Sequence, residues 1–355
     1  MEERTFMKIF KCQNCGQLVY FENAFCERCS DRLGYLPDRT TMSAVESDGA
    51  LWRALAVDSG ERYQFCANAQ FGACNWMLPA GSPEAFCLAC RHNQVIPDMS
   101  FPENLPRWQK LEQAKRRLFY SLLRFGLPIA NRADDPQHGL TFQFLAVAPD
   151  LPKVTTGHDN GIITLALHEA DEVERERTRV EMGETYRTLL GHFRHEVGHY
   201  YWDVLVRDGR RLDDFRALFG DEQQNYEEAL KRHYEVGPPA NWRDRFISSY
   251  ASSHPWEDFA ETWSHYLHIV DTLEMGFAFG LRIEPRIMDT DALNSALDFD
   301  PYRAVDTARL IDAWLPLVFA VNSLNRTMGQ PDLYPFVLTP GVVDKLAFIH
   351  SLVHR

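Results

Sequence analysis

All eight cysteines of this 355-residue chain lie between Cys12 and Cys90, and this clustering constrains the fold of the N-terminal region more than any other feature. The chain begins MEERTFMKIFKC, without the apolar stretch of a secretory signal peptide. No run approaches the roughly 18 apolar residues that a membrane span requires. Clustered cysteines in a reducing compartment more often bind metal than form disulfides. We therefore expect a soluble cytoplasmic protein whose first part is organised by metal ions.

The first cysteine cluster has the spacing C-x2-C-x10-C-x2-C and consists of Cys12, Cys15, Cys26 and Cys29. Two C-x2-C knuckles direct four thiolates to one tetrahedral ion, and Zn²⁺ accepts four sulfurs without redox chemistry. Gly16 suits the tight turn of the first knuckle. The pattern predicts a zinc ribbon. An iron–sulfur or rubredoxin-like iron site and a set of unrelated buried thiols are the alternatives.

The second cluster has the spacing C-x7-C-x12-C-x2-C and consists of Cys66, Cys74, Cys87 and Cys90. It contains one knuckle, and it predicts a second four-cysteine zinc site. His92 is an alternative ligand in place of one thiol. Fully ligated zinc sites of this kind are structural because they keep no open coordination position. We therefore expect neither cluster to carry catalysis.

The domain division follows from the cysteines and from a proline-rich segment at 96–106, IPDMSFPENLP, which discourages continuous helix or sheet. Residues 1–100 are predicted to form tandem zinc-binding modules, with the ribbon at 8–35 and the second site at 60–95. Residues 101–355 are predicted to form a second domain, which is mostly helical with a small β-sheet. The fold class is therefore α+β.

Hydrophobic patterns divide this second domain further. Strands are predicted at Leu140–Val147 and Gly161–Ala170, and the polar TTGHDNG before the second strand reads as a turn. A long helix is predicted from Thr185 to Gly209, where Asp-Gly ends it. Residues 211–246 are charged and mostly helical, and a helix is predicted at Trp256–Glu274. Two further apolar helices follow, ARLIDAWLPLVFAVNSL and GVVDKLAFIHSLV.

The sharpest motif in the chain is HEVGH, His195 to His199, within the long helix. Residues i and i+4 share a helical face, so both imidazoles can bind one zinc ion. Glu196 can then act as general base toward a zinc-bound water, whose pKa the metal lowers toward neutrality. A buried stripe at helical spacing supports the helix, and it comprises Tyr186, Leu190, Phe193, Val197, Tyr201 and Val204.

Neighbouring residues extend this prediction. Asp203, four residues after His199, is a candidate to orient that histidine, although an exposed helix acid fits the pattern equally well. His192 lies one turn before His195 and is either a flanking residue or a fourth ligand. The strand at Ile163–Leu167 is expected to be an edge strand that aligns an extended substrate by β-augmentation.

A catalytic zinc needs a third protein ligand and an open position. Glu257 and Glu261 are four residues apart in SYASSHPWEDFAETWSHYLHI and share a helical face. Glu257 is assigned as the ligand and Glu261 as the acceptor of a histidine N–H, with the reverse assignment open. His265 and His268 are alternative ligands further along the same helix.

These motifs resemble those of the gluzincin metallopeptidases, and the resemblance implies that residues 101–355 form a zincin-like metallopeptidase domain. The run Y-x6-E-D-F-A-E is similar to a segment of the anthrax lethal factor peptidase domain, and the resemblance implies that Tyr250 helps to stabilise the oxyanion. FKCQNCGQ, GIITLAL, HPWEDFAETWSHYLHI and NRTMGQPDLYPF extend the resemblance to bacterial zinc-binding metallopeptidases with an N-terminal zinc ribbon. The 58 residues from His199 to Glu257 exceed the interval in compact gluzincins, so 211–246 is interpreted as an inserted helical element, with a lid as one role.

The sequence thus predicts a zinc-dependent peptidase that hydrolyses peptide or protein substrates. The alternatives are a non-catalytic binding or regulatory protein on a zincin-like scaffold and a zinc hydrolase of other amides or esters. The net charge is −13, and it deepens to −15 because each four-thiolate zinc site adds −2 and the catalytic zinc adds +2. This acidity argues against general nucleic-acid or membrane binding. A protein partner at the zinc-ribbon region remains open.

Overall fold

The computed structural model describes residues 9–58, 60–146, 156–181, 184–185, 187–286 and 293–354. The chain divides into two compact units, Met1–Tyr120 with Ile129–Glu172 and Ser121–Pro128 with Val173–Arg355. The first unit is rich in strands and contains both cysteine clusters, and the second is mostly helical. The predicted α+β class is confirmed. The first unit extends past residue 100, and the predicted boundary there stays a prediction.

The first unit begins with a small antiparallel hairpin, β1 (Ile9–Lys11) and β2 (Leu18–Tyr20). A five-stranded antiparallel sheet follows in chain order, formed by β3 (Arg32–Leu36), β4 (Thr41–Asp48), β5 (Leu51–Ala54), β6 (Arg62–Phe65) and β7 (Met77–Pro79). Alternating side chains of these strands meet in one apolar cluster, because successive residues of a strand face opposite sides. The cluster comprises Leu36, Val45, Ala54, Tyr63 and Met77.

A second sheet of the first unit has the order β10-β11-β9-β8. Its strands are β8 (Asn93–Val95), β9 (Thr141–Leu145), β10 (Gly157–Asp159) and β11 (Ile162–Ala166). β9 is parallel to both neighbours, whereas β10 pairs antiparallel with β11 through a turn at Asn160 and Gly161. The expectation that Ile163–Leu167 is an edge strand is therefore wrong. The polar segment that was predicted to be a turn contains β10, which pairs with the outer side of β11.

Helix α1 (Asn104–Arg124) follows the proline-rich segment, and its residues up to Tyr120 belong to the first unit. The helices of the second unit are α2 (Glu172–Glu181), α3 (Leu189–Tyr201), α4 (Leu212–Phe219), α5 (Tyr226–Val236), α6 (Pro255–Ala278), α7 (Thr307–Thr327) and α8 (Pro340–Val353). A two-stranded pair, β12 (Arg282–Ile283) and β13 (Ser295–Ala296), also belongs to it. α2 begins at Glu172, the last residue assigned to the first unit.

The long helix predicted from Thr185 is shorter than expected. The Thr188 side chain accepts a hydrogen bond from the Gly191 amide and caps α3, which therefore begins at Leu189. After Tyr201 the chain continues as a π-helical segment, Trp202–Arg207. A π-helical turn is wider than an α-helical turn, so it shifts which residues face the core. Leu205 and Val206 are buried, whereas the helical spacing predicted that Val204 would be. Tyr186 and Val147 lie outside the described residues.

Helix α6 forms the centre of the second unit and packs against α3, α7 and α8. Its contact with α3 is close because Gly198, the fourth residue of HEVGH, has no side chain. A Cβ atom at Gly198 would lie 3.0 Å from the Ala260 Cα and 3.3 Å from the Trp263 Cβ. One turn further on, the rings of Tyr201 and Trp263 stack with centroids 4.9 Å apart.

Buried charges add a second connection between these helices. Arg194, next to the first motif histidine, forms an ion pair with Asp271 of α6, and both side chains are buried. Asp271 also accepts hydrogen bonds from Ser121 and from the Tyr302 hydroxyl. Removing one partner of a buried ion pair typically costs about 3–5 kcal/mol because the other charge stays buried. The pair therefore fixes the position of α3 along α6.

Within the residues that the structure describes, no helix combines the length and the apolar character needed to cross a membrane.

Replacing Gly198 with alanine tests the close α3–α6 contact. Overpacking of a buried contact costs about 1–3 kcal/mol, and here it outweighs the helix propensity that alanine adds. We expect the variant to unfold at a temperature several degrees lower than the wild type in thermal denaturation. Gly157→Ala is the control, because a Cβ atom added at position 157 would have no atom within 4 Å. Equal stability of the Gly198→Ala variant and the wild type would contradict the close contact.

Candidate metal centres

The first cysteine cluster is built from two knuckles with the same backbone geometry. The Gly16 amide donates to the Cys12 carbonyl at 2.9 Å, and the Ser30 amide donates to the Cys26 carbonyl at 2.8 Å. Gly16 and Ser30 both have positive φ, 74° and 63°, so Ser30 occupies the position that glycine takes in the first knuckle. Each turn brings its two thiols to the same side.

The sulfur positions of this cluster fit a tetrahedral zinc ion. The Sγ atoms of Cys12 and Cys29 are 3.7 Å apart, and those of Cys15 and Cys26 are 3.5 Å apart. Zn–S bonds of about 2.3 Å separate the sulfurs of a tetrahedron by about 3.8 Å, whereas a disulfide needs about 2.05 Å. Backbone amides, chiefly that of Cys29, lower the pKa of the Cys26 thiol to about 7, which favours the thiolate that binds metal.

The second cluster is buried at all four cysteines. The Sγ atoms of Cys74 and Cys87 are 3.7 Å apart, again the separation expected around zinc. The Cys87 amide lies 3.3 Å from the Cys66 sulfur, so backbone donors support the ligands here as well. The alternative ligand, His92, donates from Nδ1 to the Leu140 carbonyl oxygen at 2.8 Å, and it does not belong to the group of four ligand atoms. The four ligand atoms brought together are all cysteine sulfurs.

A buried polar group accompanies this second cluster. Glu112 of α1 is fully buried, and its carboxylate lies 3.6 Å from the Cys90 sulfur. Lys115, one turn later on α1 and also fully buried, forms an ion pair with Glu112 at 2.8 Å and donates to Asn93. The lysine neutralises the Glu112 carboxylate, which would otherwise add negative charge beside a tetrathiolate site whose zinc complex would carry −2. Sequence patterns gave no indication of this group.

The third candidate centre lies in the second unit, where α3 presents His195 and His199 on one face. Their Nε2 atoms are 3.2 Å apart, and the Nε2 of His195 lies 3.0 Å from the Glu257 Oε2. The Nε2 of His199 lies 3.6 Å from the Glu257 Oε1. Bonds of about 2.1 Å to a tetrahedral zinc separate nitrogen and oxygen ligands by about 3.4 Å, so these distances suit that ion.

Glu257 is placed by the start of α6. His254 caps the helix, with its Nδ1 accepting from the Trp256 amide at 3.1 Å, and Pro255 occupies the first turn. Glu257 therefore lies in the first turn, where the helix dipole favours a carboxylate. Its side chain is 1% exposed. Although burial acts to raise it, the pKa of Glu257 is lowered by His199 and His195, so the group is ionised.

The polar atoms of this centre suit a metal ion. The His195 Nδ1 donates to the Glu261 Oε1 at 2.9 Å, so the other ring nitrogen, Nε2, faces the Glu257 Oε2 at 3.0 Å. Although burial acts to lower it, the pKa of His195 is raised well above its ordinary value by Glu257 and Glu261, so a proton lies between Nε2 and Glu257 when no metal is bound. A zinc ion would replace that proton and bind both atoms. The donor set, two imidazoles and one carboxylate, is that of catalytic zinc.

Glu261 lies on the opposite side of His195 from the proposed ion. Its Oε2 accepts a hydrogen bond of 2.6 Å from the Ser248 hydroxyl, which in turn accepts from the Ala251 amide. Burial acts to raise the pKa of Glu261, but the hydrogen bond with His195 lowers it, so Glu261 stays a carboxylate. A carboxylate in this position fixes the orientation of the imidazole. No sequence pattern indicates Ser248, although it lies two residues before Tyr250.

Tyr226 is a second site residue that the sequence analysis did not identify. It is the first residue of α5, within the 211–246 insertion, and its hydroxyl donates to the Glu257 Oε1 at 2.6 Å. This bond occupies one carboxylate oxygen and leaves the other for a metal ion. The insertion therefore contributes directly to the candidate centre. No sequence signal distinguishes this tyrosine from others at the start of a helix.

The two residues predicted to act on substrate are near the metal ligands. Glu196 follows His195 on α3, and burial raises the pKa of its carboxyl group. The Tyr250 ring centroid is 6.0 Å from that of His195. Burial, followed by the charge of Glu257, raises the pKa of Tyr250 well above its ordinary value, so its hydroxyl remains a proton donor. These roles stay predictions.

The remaining candidates have other contacts. His265 Nδ1 is 2.9 Å from the Tyr334 hydroxyl, and His268 Nδ1 is 3.3 Å from the Arg194 guanidinium, so neither belongs to the group of three ligands. Asp203 accepts from Arg207 at 2.6 Å, and its predicted role beside His199 stays a prediction. The pKa of His192 is lowered well below its ordinary value by burial, which favours the neutral ring.

The Tyr226→Phe variant tests the contribution of α5 to the metal centre. Loss of a hydrogen bond to a metal ligand typically lowers metal affinity about 10- to 100-fold. We expect weaker zinc binding at the third centre in competition with a chromophoric chelator. Tyr234→Phe is the matched control, because Tyr234 lies on the same helix and is 58% exposed. Identical affinities of the Tyr226→Phe variant and the wild type would exclude a supporting role for this hydroxyl.

Metal analysis of the purified chain tests the three centres together. We expect about three zinc ions per chain, with two that resist mild chelation, because closed thiolate sites release zinc slowly and unfold when they do. The third ion should exchange, since an open centre is accessible to the chelator. Fewer than two firmly held ions would contradict the assignment of two cysteine sites.

Comparisons with known proteins agree with these centres. The family model described as "Putative zinc-binding metallo-peptidase" matches residues 104–352, and a zinc-ribbon domain model matches residues 9–101. Uncharacterized proteins of Mycobacterium tuberculosis (strain H37Rv) and Mycobacterium bovis are each 43% identical over 348 residues, which cover 98% of this chain and 95% of the relative. No solved structure matches the chain. The chain therefore belongs to the putative zinc-binding metallo-peptidase family and carries an N-terminal zinc-ribbon domain.

Proposed function

We propose that the chain is a zinc-dependent peptidase of the gluzincin type. The observation that carries this proposal is the grouping of the His195 and His199 Nε2 atoms around the buried Glu257 carboxylate, with the His195 Nε2 3.0 Å from Oε2 and the His199 Nε2 3.6 Å from Oε1. His195, His199 and Glu257 would hold the ion, and Glu261 would orient His195. Bound zinc would act as a Lewis acid that polarises a carbonyl group and makes water more acidic.

Glu196 is the proposed general base. Glu196 belongs to the same helix as both histidines. Burial raises the pKa of its carboxyl group toward neutrality, where a group can both accept and return a proton. In the proposed reaction Glu196 accepts the proton of the attacking water and delivers it to the leaving amine. Peptide-bond hydrolysis requires both transfers, and one carboxylate can perform them in sequence.

Tyr250 is proposed to stabilise negative charge on the substrate oxygen. Its protonated hydroxyl is suited to donate a hydrogen bond to a tetrahedral oxyanion. The Tyr250 hydroxyl must stay protonated to donate, and burial favours the protonated form because it raises the pKa of the hydroxyl. Tyr226 is a positioning residue, since its hydroxyl is bonded to the Glu257 carboxylate rather than offered to a substrate.

The cysteine modules are proposed to stabilise the region before residue 101 and to contact a protein partner. The sulfurs of each cluster are grouped at distances that suit zinc thiolates. Clustered cysteines that bind metal are typical of a reducing compartment, so we propose the cytoplasm as the site of action. The proposed substrates are peptides or proteins, and the acidic net charge of −13 disfavours nucleic acid as a partner.

The Glu196→Gln variant tests the proposed mechanism. The amide keeps the size of the side chain but cannot accept the proton, so we expect cleavage of a proteome-derived peptide library to fall about 10²- to 10⁴-fold. Mass spectrometry of the library before and after incubation measures the cleavage. Glu227→Gln is the control, because Glu227 is an exposed acid of α5.

The zinc content of each variant is measured in parallel. Equal cleavage by the wild type and the Glu196→Gln variant would refute Glu196 as the base. A fully zinc-loaded wild type that cleaves no peptide would favour the non-catalytic alternative. Hydrolysis of small esters or amides without peptide cleavage would favour the other alternative, a zinc hydrolase of non-peptide substrates.

A further inference from the structure

The first unit contains a cavity of about 120 Å³ between loops of the two cysteine clusters and α1. Such a volume holds several water molecules or a small charged group. The side chains that matter for its chemistry are those of Glu22, Phe25, Arg32, Phe65, Asn75 and Arg116. Aromatic rings and cationic or amide groups therefore line the same space.

Arg32 contributes a cation that no carboxylate neutralises. Its guanidinium lies over the Phe65 ring, 4.2 Å from the ring centroid, and it is 5.6 Å from the centroid of Phe25. No ion pair to Arg32 occurs among the residues described here, although ion pairs are frequent elsewhere on the same sheet, as between Arg53 and Glu46. A guanidinium stacked on a ring keeps its N–H groups at the edge, where they match a carboxylate in two-point fashion.

Arg116 and Asn75 each keep one polar atom without a partner. Both residues are at least 95% buried, with Arg116 5% and Asn75 4% exposed. The Arg116 guanidinium donates to the Ala73 carbonyl, but its Nε has no acceptor. The Asn75 Nδ2 donates to two backbone carbonyls, of Phe21 and Asn23, while its Oδ1 has no donor. Buried atoms of this kind are normally satisfied by protein, water or ligand.

Among the described residues that line the cavity, no carboxylate is paired with Arg32 or Arg116. Glu22 is paired with Arg117, so its carboxylate already has a cationic partner. Cys74, which also lines the cavity, accepts a hydrogen bond from the Trp76 amide at 3.4 Å and belongs to a candidate zinc site. The cavity thus offers two guanidinium donors and one amide acceptor to a ligand.

We propose that this cavity binds the C-terminus of a peptide. A C-terminal residue combines a carboxylate with an amide N–H only two bonds from the carboxyl carbon. The carboxylate would accept hydrogen bonds from Arg32 and Arg116, and the N–H would donate to the Asn75 Oδ1. Phe25, which is 53% exposed, would contact the terminal side chain. Capture of a free carboxylate by converging donors is a recurring mode of peptide recognition.

The inference does not rest on the proposed peptidase function, and the test separates the two. Binding is measured on the zinc-loaded full-length Glu196→Gln variant, in which cleavage is not expected to remove the probe. The probes are fluorescein-labelled Gly-Ser-Gly-Ser-Xaa peptides in which Xaa is Ala, Leu, Phe, Asp or Lys. Each is prepared with a free C-terminal carboxylate and as the C-terminal amide, and fluorescence anisotropy gives the affinities.

We expect at least one free-acid peptide to bind about 10- to 100-fold more tightly than its amide, because the amide loses hydrogen bonds to charged donors. Arg32→Gln should abolish that difference, whereas Arg53→Gln, on the exposed part of the same sheet, should keep it. The zinc content and thermal stability of each variant are measured as a check on folding.

Three results would overturn the inference. They are equal affinity for acid and amide, retention of the preference in a folded Arg32→Gln variant, and no binding of any probe at millimolar concentration. The last result would mean that water alone satisfies the buried atoms.

Discussion

The close packing of α3 on α6 is the contact on which the third metal centre depends. HEVGH supplies two candidate ligands from one helix, but the third candidate comes from another helix 58 residues later, so the helix axes must approach to within the reach of these side chains. Gly198 permits this approach because the Ala260 Cα lies only 3.0 Å from where a Cβ would be. The buried pair of Arg194 and Asp271 then limits sliding of one helix along the other. Apolar packing sets the distance, and the ion pair sets the register.

The three centres use different physical means to satisfy their ligands. The cysteine sites rely on backbone amides and on knuckle turns with left-handed residues, as at Gly16 and Ser30. The histidine centre relies on side chains, since Glu261 holds His195 and Tyr226 holds Glu257. Amide donors stabilise thiolates in closed structural sites. The histidine centre groups three protein ligands rather than four, which would leave the fourth position of a tetrahedral zinc for water or substrate.

The sequence predicted much of this arrangement because metal ligands obey strict spacing rules. Four-residue intervals on a helix and C-x2-C knuckles depend on local geometry, so they can be recognised without knowledge of the tertiary fold. The predicted groups of four, four and three ligands are the groups that the structure brings together. The prediction that Ile163–Leu167 is an edge strand failed because the strand that pairs with it, β10, has the polar composition of a turn and could not be recognised from the sequence.

The sequence by itself determined which residues can bind metal, the α+β class and the order of its parts, since these follow from side-chain chemistry and local periodicity. Only the tertiary structure decided which groups support the ligands. Tyr226 and Ser248 reach Glu257 and Glu261 from outside α6, and Glu112 reaches Cys90 from α1, where Lys115 is paired with it. A hydrogen bond between residues far apart in the chain leaves no periodic trace, because any polar side chain of suitable length can provide it. Such contacts are fixed by packing alone.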